Sequence, residues 1–179
     1  MKERRHGFRR MLISGLVIVA VIIIGWWWWF FPITTTVFVV RHGEKATANP
    51  ADPVLSTAGE ARAQELAHVL RDVGIDAVYV TQFQRTQLTG APVAAEAGVT
   101  PVQYDAGTVS EAVDAALADF NGREVVIVGH SNTVDDIIAA LGVNGVSELA
   151  ESQFDRLFVV TKHSGATHLT RLRYGADTP

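Results

Sequence analysis

Apolar and polar positions fall into two regimes along this 179-residue chain. Residues 12–31 are apolar on every helical face, without period. From Thr34 onward, short runs of β-branched residues alternate with stretches whose apolar positions recur every three or four residues. Thr34–Val40 reads as a first strand, and the loop Arg41–Leu55, with Pro50 and Pro53, reads as too polar to pair. Thr57-Ala58-Gly59-Glu60 reads as a capping box opening a helix. The apolar face of that helix is Leu66, Val69, Leu70 and Val73, and Gly74 ends it. Ala77–Val80 is a second strand, followed by a helix from about Arg85 to Ala97 that contains Pro92. Pro101–Tyr104 is a short edge strand. Ser110 is placed to cap a helix Glu111–Phe120 with Val113, Leu117 and Phe120 on one face. Glu124–Val128 is the most hydrophobic strand and therefore a central one. A helix Thr133–Leu141 stops at Gly142, and Arg156–Thr161 and Ala166–Tyr174 form an antiparallel pair joined at Ser164-Gly165. Strands alternating with helices predict βαβ units and a mostly parallel sheet. The chain shows no internal repeat.

The first regime predicts a membrane anchor. No charged residue occurs from Met11 to Val40, and 20 residues at about 1.5 Å each span about 30 Å, the thickness of a bilayer's hydrocarbon core. Lys2, Arg4, Arg5, Arg9 and Arg10 precede it against a single Glu3, a flank that stays on the cytoplasmic side. Trp26 to Trp29, Phe30 and Phe31 suit the opposite interface. A cleaved signal peptide would have a shorter core and small residues at a cleavage site, neither of which is present. The expected organisation is a basic cytoplasmic tail 1–11, a transmembrane anchor 12–31 and one extracytoplasmic domain 32–179, with almost no linker.

Charge narrows the partners of that domain. With the five basic residues and Glu3 of the tail set aside, 10 Lys and Arg face 18 Asp and Glu, a net charge of −8. An acidic domain is a poor nucleic-acid binder, because that affinity rests on neutralising phosphates with Lys and Arg. There is no cysteine, which excludes disulfides and thiolate zinc sites. His6, His68, His163 and His168 lack metal-ligand spacing, so no metal is expected. No Walker loop or dinucleotide fingerprint is present.

The candidate chemistry lies at strand ends. Arg41-His42-Gly43 follows the first strand, and Val125-Val126-Ile127-Val128 runs through Gly129 into His130. Arg85 follows the second strand. Loops at the carboxyl ends of parallel strands are where α/β proteins keep their chemistry. Glycine after His42 allows a sharp turn and close approach of a ligand. Two strand-end histidines with arginines describe an anion site that contains a nucleophile.

Four segments, in order and spacing, resemble the histidine phosphatase superfamily, which contains phosphoglycerate mutase-like enzymes and small phosphatases. They are Val39-Val40-Arg41-His42-Gly43-Glu44, Leu55-Ser56-Thr57-Ala58-Gly59-Glu60-Ala61, Arg85-Thr86 and Val128-Gly129-His130-Ser131-Asn132. The resemblance covers nearly all of residues 32–179 and implies a three-layer α/β/α sandwich. It implies that His42 attacks phosphorus to form a phosphohistidine, and that Arg41, Arg85 and His130 hold the phosphoryl oxygens. Phosphoryl transfer consists mainly of positioning and stabilisation of spread negative charge, which a cluster of cations provides. A nucleophilic imidazole must be neutral, and two nearby guanidiniums disfavour its protonation.

The resemblance also implies an acid for the leaving group from the segment after the third strand, where Asp105 is the first choice and Glu44 and Glu111 are the alternatives. The stretch Asp105–Phe120 is short and has no insertion to close over a sugar or triose phosphate, which favours hydrolysis over mutase activity. The expected activity is therefore that of a membrane-anchored phosphoric monoester hydrolase needing no metal or organic cofactor, its partner a phosphorylated small molecule. Two rivals remain: a catalytically silent phosphate-binding relative, and a cytoplasm-facing phosphohistidine phosphatase of a signalling protein. Substrate identity and oligomeric state are not specified by the sequence.

Overall fold

The computed structural model describes residues 13–26, 33–49, 51–163 and 165–179. The chain divides into two units, Met1–Ile33 and Thr34–Pro179. In the first, residues 13–26 form a helix, α1. Among the described residues no helix is long and apolar enough to cross a membrane. The expected tail, Leu12 and the end of the expected anchor with five of its aromatics (Trp27, Trp28, Trp29, Phe30 and Phe31) lie outside the described residues, as do Pro32, Pro50 and Ser164.

The second unit alternates β1 (Thr34–Arg41), α2 (Thr57–Leu70), β2 (Ala77–Thr81), α3 (Gln84–Ala97), β3 (Val102–Tyr104), α4 (Val109–Asp119), β4 (Glu124–Gly129) and α5 (Val134–Ala140), then β5 (Arg156–His163) and β6 (Ala166–Arg173). The six strands form one sheet in the order β3-β2-β4-β1-β5-β6. Pairs β2–β3, β2–β4 and β1–β4 are parallel, while β1–β5 and β5–β6 are antiparallel. The mostly parallel sheet, the central β4 and the edge strand β3 match the sequence reading.

Alternation along buried strands separates two cores. Val37 and Val39 of β1 pack with Val125 and Ile127 of β4, Val113 of α4 and Ile137 and Ile138 of α5. Phe38 and Val40 turn to the other face with Val126 and Val128, Leu66 and Leu70 of α2, and Val93 of α3. Strands covered on both faces need apolar residues at every position, which is why β1 and β4 read as continuous hydrophobic runs. Helices therefore cover both faces. α2, after β1, lies on one face and α5, after β4, on the other. The connections leaving the two adjacent strands thus turn to opposite faces, and the crevice between such connections is the usual ligand position in such sheets.

Four local expectations are corrected. The loop after β1 does pair: Lys45 bridges Leu55, and Ala46 N donates to Val54 O at 2.9 Å. The cap of α2 is Ser56 rather than Thr57, with its hydroxyl accepting from Gly59 N at 3.2 Å. Ser56 N donates to Glu44 O, holding Ser56 extended and fixing the cap one residue early. That places Gly59, not Glu60, at the third helical position, so no capping box forms. Val69 is exposed because the buried stripe of α2 runs through the small residues Ala63 and Ala67 with Leu66 and Leu70. Ser110 lies inside α4, whose cap position is Thr108 with no side-chain hydrogen bond; burial of Val109 draws the helix start forward.

Candidate active site

Register brings the two histidines together. Arg41 pairs with Gly129 at the ends of β1 and β4, so the next residues, His42 and His130, emerge side by side. His42 N donates to Gly129 O at 3.0 Å, and the two imidazoles stand edge to face with centroids 5.3 Å apart. Both are buried.

Gly43 is needed for close packing, but its near neighbour is backbone rather than a ligand. A Cβ on Gly43 would stand 2.8 Å from Gly59 O, and a Cβ on Gly59 would collide with the Glu44 backbone. The first turn of α2 thus rests directly on the loop that carries His42. Thr89 ties α3 to the same loop, accepting from Gly43 N at 2.9 Å and donating to Arg85 O at 2.6 Å.

The tautomer of His42 follows from its partner. Nδ1 lies 2.7 Å from Gly43 O. A carbonyl oxygen only accepts, so Nδ1 carries the proton and the lone pair is left on Nε2. Burial, ahead of the nearby charges of Arg41, His130 and Arg85, pushes the His42 pKa down to about 3. The ring is therefore neutral at physiological pH, with desolvation contributing more than the guanidiniums. His130 is pushed down to about 4 by burial, then by Arg85, Arg41 and Lys45. Its Nε2 meets Thr81 Oγ1 at 3.1 Å, and Thr81 Oγ1 in turn meets Thr86 Oγ1 at 2.8 Å.

These depressed values have a measurable consequence. Unfolded histidines bind a proton near pH 6.5, whereas the folded pair resists protonation, so the unfolded state holds more protons below that pH. The contribution is fully present above pH 6.5 and is lost as pH falls towards about 4 and about 3. Unfolding free energy should decline progressively from pH 6.5 to 4. An NMR titration should show the His42 ring still neutral at pH 5; a midpoint near 6.5 would contradict this site.

Arg41 is buried and locked. Its Nη1 donates to the carbonyls of Ala150 and Glu151 at 2.9 Å and Gln153 at 3.2 Å, and Nη2 donates to Glu151 Oε2 at 2.8 Å. Two phenylalanines wall the site in matching fashion. Phe154 lies 4.1 Å from the Arg41 guanidinium and 6.1 Å from the His42 ring. Phe83 lies 4.4 Å from the Arg85 guanidinium and 5.4 Å from the His130 ring. Arg85 is also 3.9 Å from Asp52. Three buried nitrogens in this cluster lack a hydrogen-bond partner among the described residues: Arg41 Nε, Arg85 Nε and His130 Nδ1. Buried polar atoms are normally paired, so the two guanidinium N–H groups in this cluster make it a candidate anion site. No group of three or more potential metal ligands occurs among the described residues.

None of the expected acids hydrogen-bonds to this cluster, although Glu44 and Arg41 act on each other electrostatically. Glu44 is engaged elsewhere, accepting from Arg62 Nε at 3.0 Å on both oxygens and from Nη2 at 2.7 Å. Burial pulls its pKa up, but the Arg62 hydrogen bonds and charge outweigh burial and hold it below the usual carboxylate range. Asp105 is exposed and its Oδ1 accepts from Gly107 N at 2.7 Å. Glu111 is exposed in the first turn of α4. Among the described residues no hydrogen bond or ion pair joins Asp105 or Glu111 to His42, Arg41, Arg85 or His130. Sequence reasoning missed Phe83, Phe154 and Glu151, and quoted Ser131 in a matched segment without giving it a role. Phe83, the cap position of α3 two residues before Arg85, was within reach of it; Phe154 and Glu151 carry no local signal.

Comparison with known proteins finds likeness in a segment of sequence and in fold. Residues 37–108 match the family model of the histidine phosphatase superfamily, branch 1. The structure of the protein histidine phosphatase SixA complexed with tungstate is similar at 23% identity, covering 77% of this chain and 96% of that one, with a TM-score of 0.60. A mycobacterial glucosyl-3-phosphoglycerate phosphatase is similar at 15% identity over 80% of this chain and 100% of that one, with a TM-score of 0.65. A putative alpha-ribazole-5'-P phosphatase from Escherichia coli is similar at 16% identity over 78% and 96%, with a TM-score of 0.60. A search of curated proteins finds no match. With the segments around His42 and His130 and the start of α3 at Arg85 brought to one crevice, this chain resembles the histidine phosphatase superfamily in the matched segment and in fold.

Proposed function

We propose that the chain is a phosphatase that works through a phosphohistidine on His42. The observation that carries this reading is the pairing of a neutral imidazole, its lone pair on Nε2, with two buried guanidinium N–H donors, Arg41 Nε and Arg85 Nε, that have no partner among the described residues. Nε2 attacks phosphorus, the bond from phosphorus to the leaving group breaks, and the donors take up charge on the equatorial oxygens. Water then attacks the phosphohistidine, releasing inorganic phosphate and restoring His42. The arginines suit this work because the planar guanidinium stays charged and meets phosphate oxygens in fixed directions.

Because none of the three expected acids hydrogen-bonds to the site, a second reading of the substrate is favoured. An alkoxide needs a proton to leave, whereas a phosphoramidate such as phosphohistidine releases a far better leaving group. The likeness to SixA, named as a protein histidine phosphatase, points the same way. The two readings part on a substrate panel given to the purified protein. A phosphoramidate favoured over alkyl phosphates, with Asp105→Asn without effect on either, supports the second reading. Slowing by Asp105→Asn confined to alkyl phosphates restores Asp105 as the acid and the monoester as substrate.

An anchor through the N-terminal segment is part of the proposal. It rests on the apolar run 12–31, on the basic flank before it, and on the exposure of Ile13, Leu16, Val17, Ile22 and Ile24, which water disfavours. The flank places the domain outside the cytoplasm, and a phosphohistidine signalling substrate requires the reverse. A reporter fused after Pro179 that is active only in the cytoplasm would overturn the extracytoplasmic address.

A further inference from the structure

The pocket's cations already hold an anion supplied by the chain. Glu151 lies in the segment between α5 and β5, its Oε2 2.8 Å from Arg41 Nη2 and 3.9 Å from Lys45 Nζ. Its Oε1 accepts from Ser131 Oγ at 2.5 Å. Ser131 follows His130 directly, and Lys45 lies three residues beyond His42. The Glu151 carboxylate thus engages a guanidinium, an ammonium and a hydroxyl at the rim of the site, the kinds of group a phosphoryl oxygen would engage. The Ser131 hydrogen bond, followed by the charges of Arg41 and Lys45, holds its pKa below the usual carboxylate range, so it is ionised. It also acts electrostatically on Arg85.

The backbone and side chain of Glu151 are held very differently. Arg41 Nη1 binds the carbonyls of Ala150, Glu151 and Gln153, and Leu149 N donates to Ser131 O at 3.2 Å, so the backbone is fixed. The Glu151 side chain is 73% exposed. It can rotate into water without disturbing the segment that carries it.

We infer that Glu151 is an internal counter-anion of the phosphate pocket: its carboxylate rests on Arg41, Ser131 and Lys45 when the pocket is empty, swings out as a phosphoryl group enters, and returns as inorganic phosphate leaves. The inference rests on the phosphatase reading above. Its physical basis is that two anions cannot share the same cations without repulsion, so every bound phosphate competes with Glu151. The consequence is weaker retention of product and of dianions generally. The carboxylate also keeps Arg41 and Lys45 neutralised between turnovers, and its exposure keeps the energy of the exchange small.

The test is calorimetric binding of inorganic phosphate and of vanadate to the full chain and to Glu151→Gln. The amide oxygen can still accept from Arg41 while its NH2 donates to Ser131 Oγ, so the variant removes the charge and keeps both contacts. Glu151→Gln should bind both anions about tenfold more tightly, as expected for loss of one repulsive charge at the rim of a hydrated site, with the gain shrinking at high salt. Glu151→Asp, which keeps the charge, should stay near wild type. Unchanged or weaker binding in Glu151→Gln would overturn the inference and leave the phosphatase reading intact. Slowing of Glu151→Gln confined to alkyl leaving groups would make Glu151 a proton donor and overturn it as well. No binding of either anion by wild type and variant alike would overturn both.

Discussion

Replacing His42 with alanine is expected to abolish the phosphoenzyme and to lower kcat/KM by roughly 10³-fold or more, the scale seen when a covalent nucleophile is removed. Brief exposure of wild type to substrate should leave an acid-labile, base-stable phosphoryl group; the variant should leave none. Folding should survive, because the only hydrogen bond of the His42 ring among the described residues is to Gly43 O. The fall in stability between pH 6.5 and 4 should also become shallower, since one of the two depressed histidines is gone. Near-normal turnover in His42→Ala with the fold intact would sink the assignment.

The largest stability effect is expected at Arg62, which no functional reasoning singled out. Its side chain is buried and binds the Glu44 carboxylate through Nε and Nη2, while Nη1 donates to Tyr174 O and Nη2 to Ala176 O, each at 2.9 Å. Arg62→Met would leave Glu44 as a mostly buried charge without its partner and strip two carbonyls of donors. Breaking a buried pair from one side costs about 3–5 kcal/mol, and partial exposure of Glu44 places this case near the lower figure. For a domain of this size that corresponds to a fall in Tm of about 10 °C. The double variant Arg62→Met with Glu44→Leu should recover much of it, because no unpaired charge remains. A loss below about 1 kcal/mol in Arg62→Met would show that the pair carries little. Activity should fall too, since Glu44 is one residue from Gly43 and two from His42.

These two residues mark the limit of what local sequence conveys. His42 was legible because an apolar strand breaking into Arg-His-Gly is a local pattern, and so was His130 for the same reason. Glu44 was read as a possible acid because nothing near it in sequence reveals its partner, 18 residues away on α2. Asp105 lay at the expected strand end, but the turn through Gly107 captures its carboxylate. The rank of Val69 on α2 depended on which stripe met the sheet, and Ala63 and Ala67 let the helix roll away from it.

Taken alone, the sequence determined the alternation of strands and helices, the parallel core, and the strand ends that bear Arg41, His42, Arg85 and His130. Each of these follows from interactions among residues close in the chain: hydrophobic period, turn residues and strand length. Tertiary structure alone decided the neighbours. Register between β1 and β4 set the imidazoles 5.3 Å apart, and contacts spanning more than 100 residues placed Ala150, Glu151 and Gln153 on Arg41. Hydrogen bonds and ion pairs act over a few ångströms whatever the separation in sequence, so their partners emerge only when the sheet brings distant segments together.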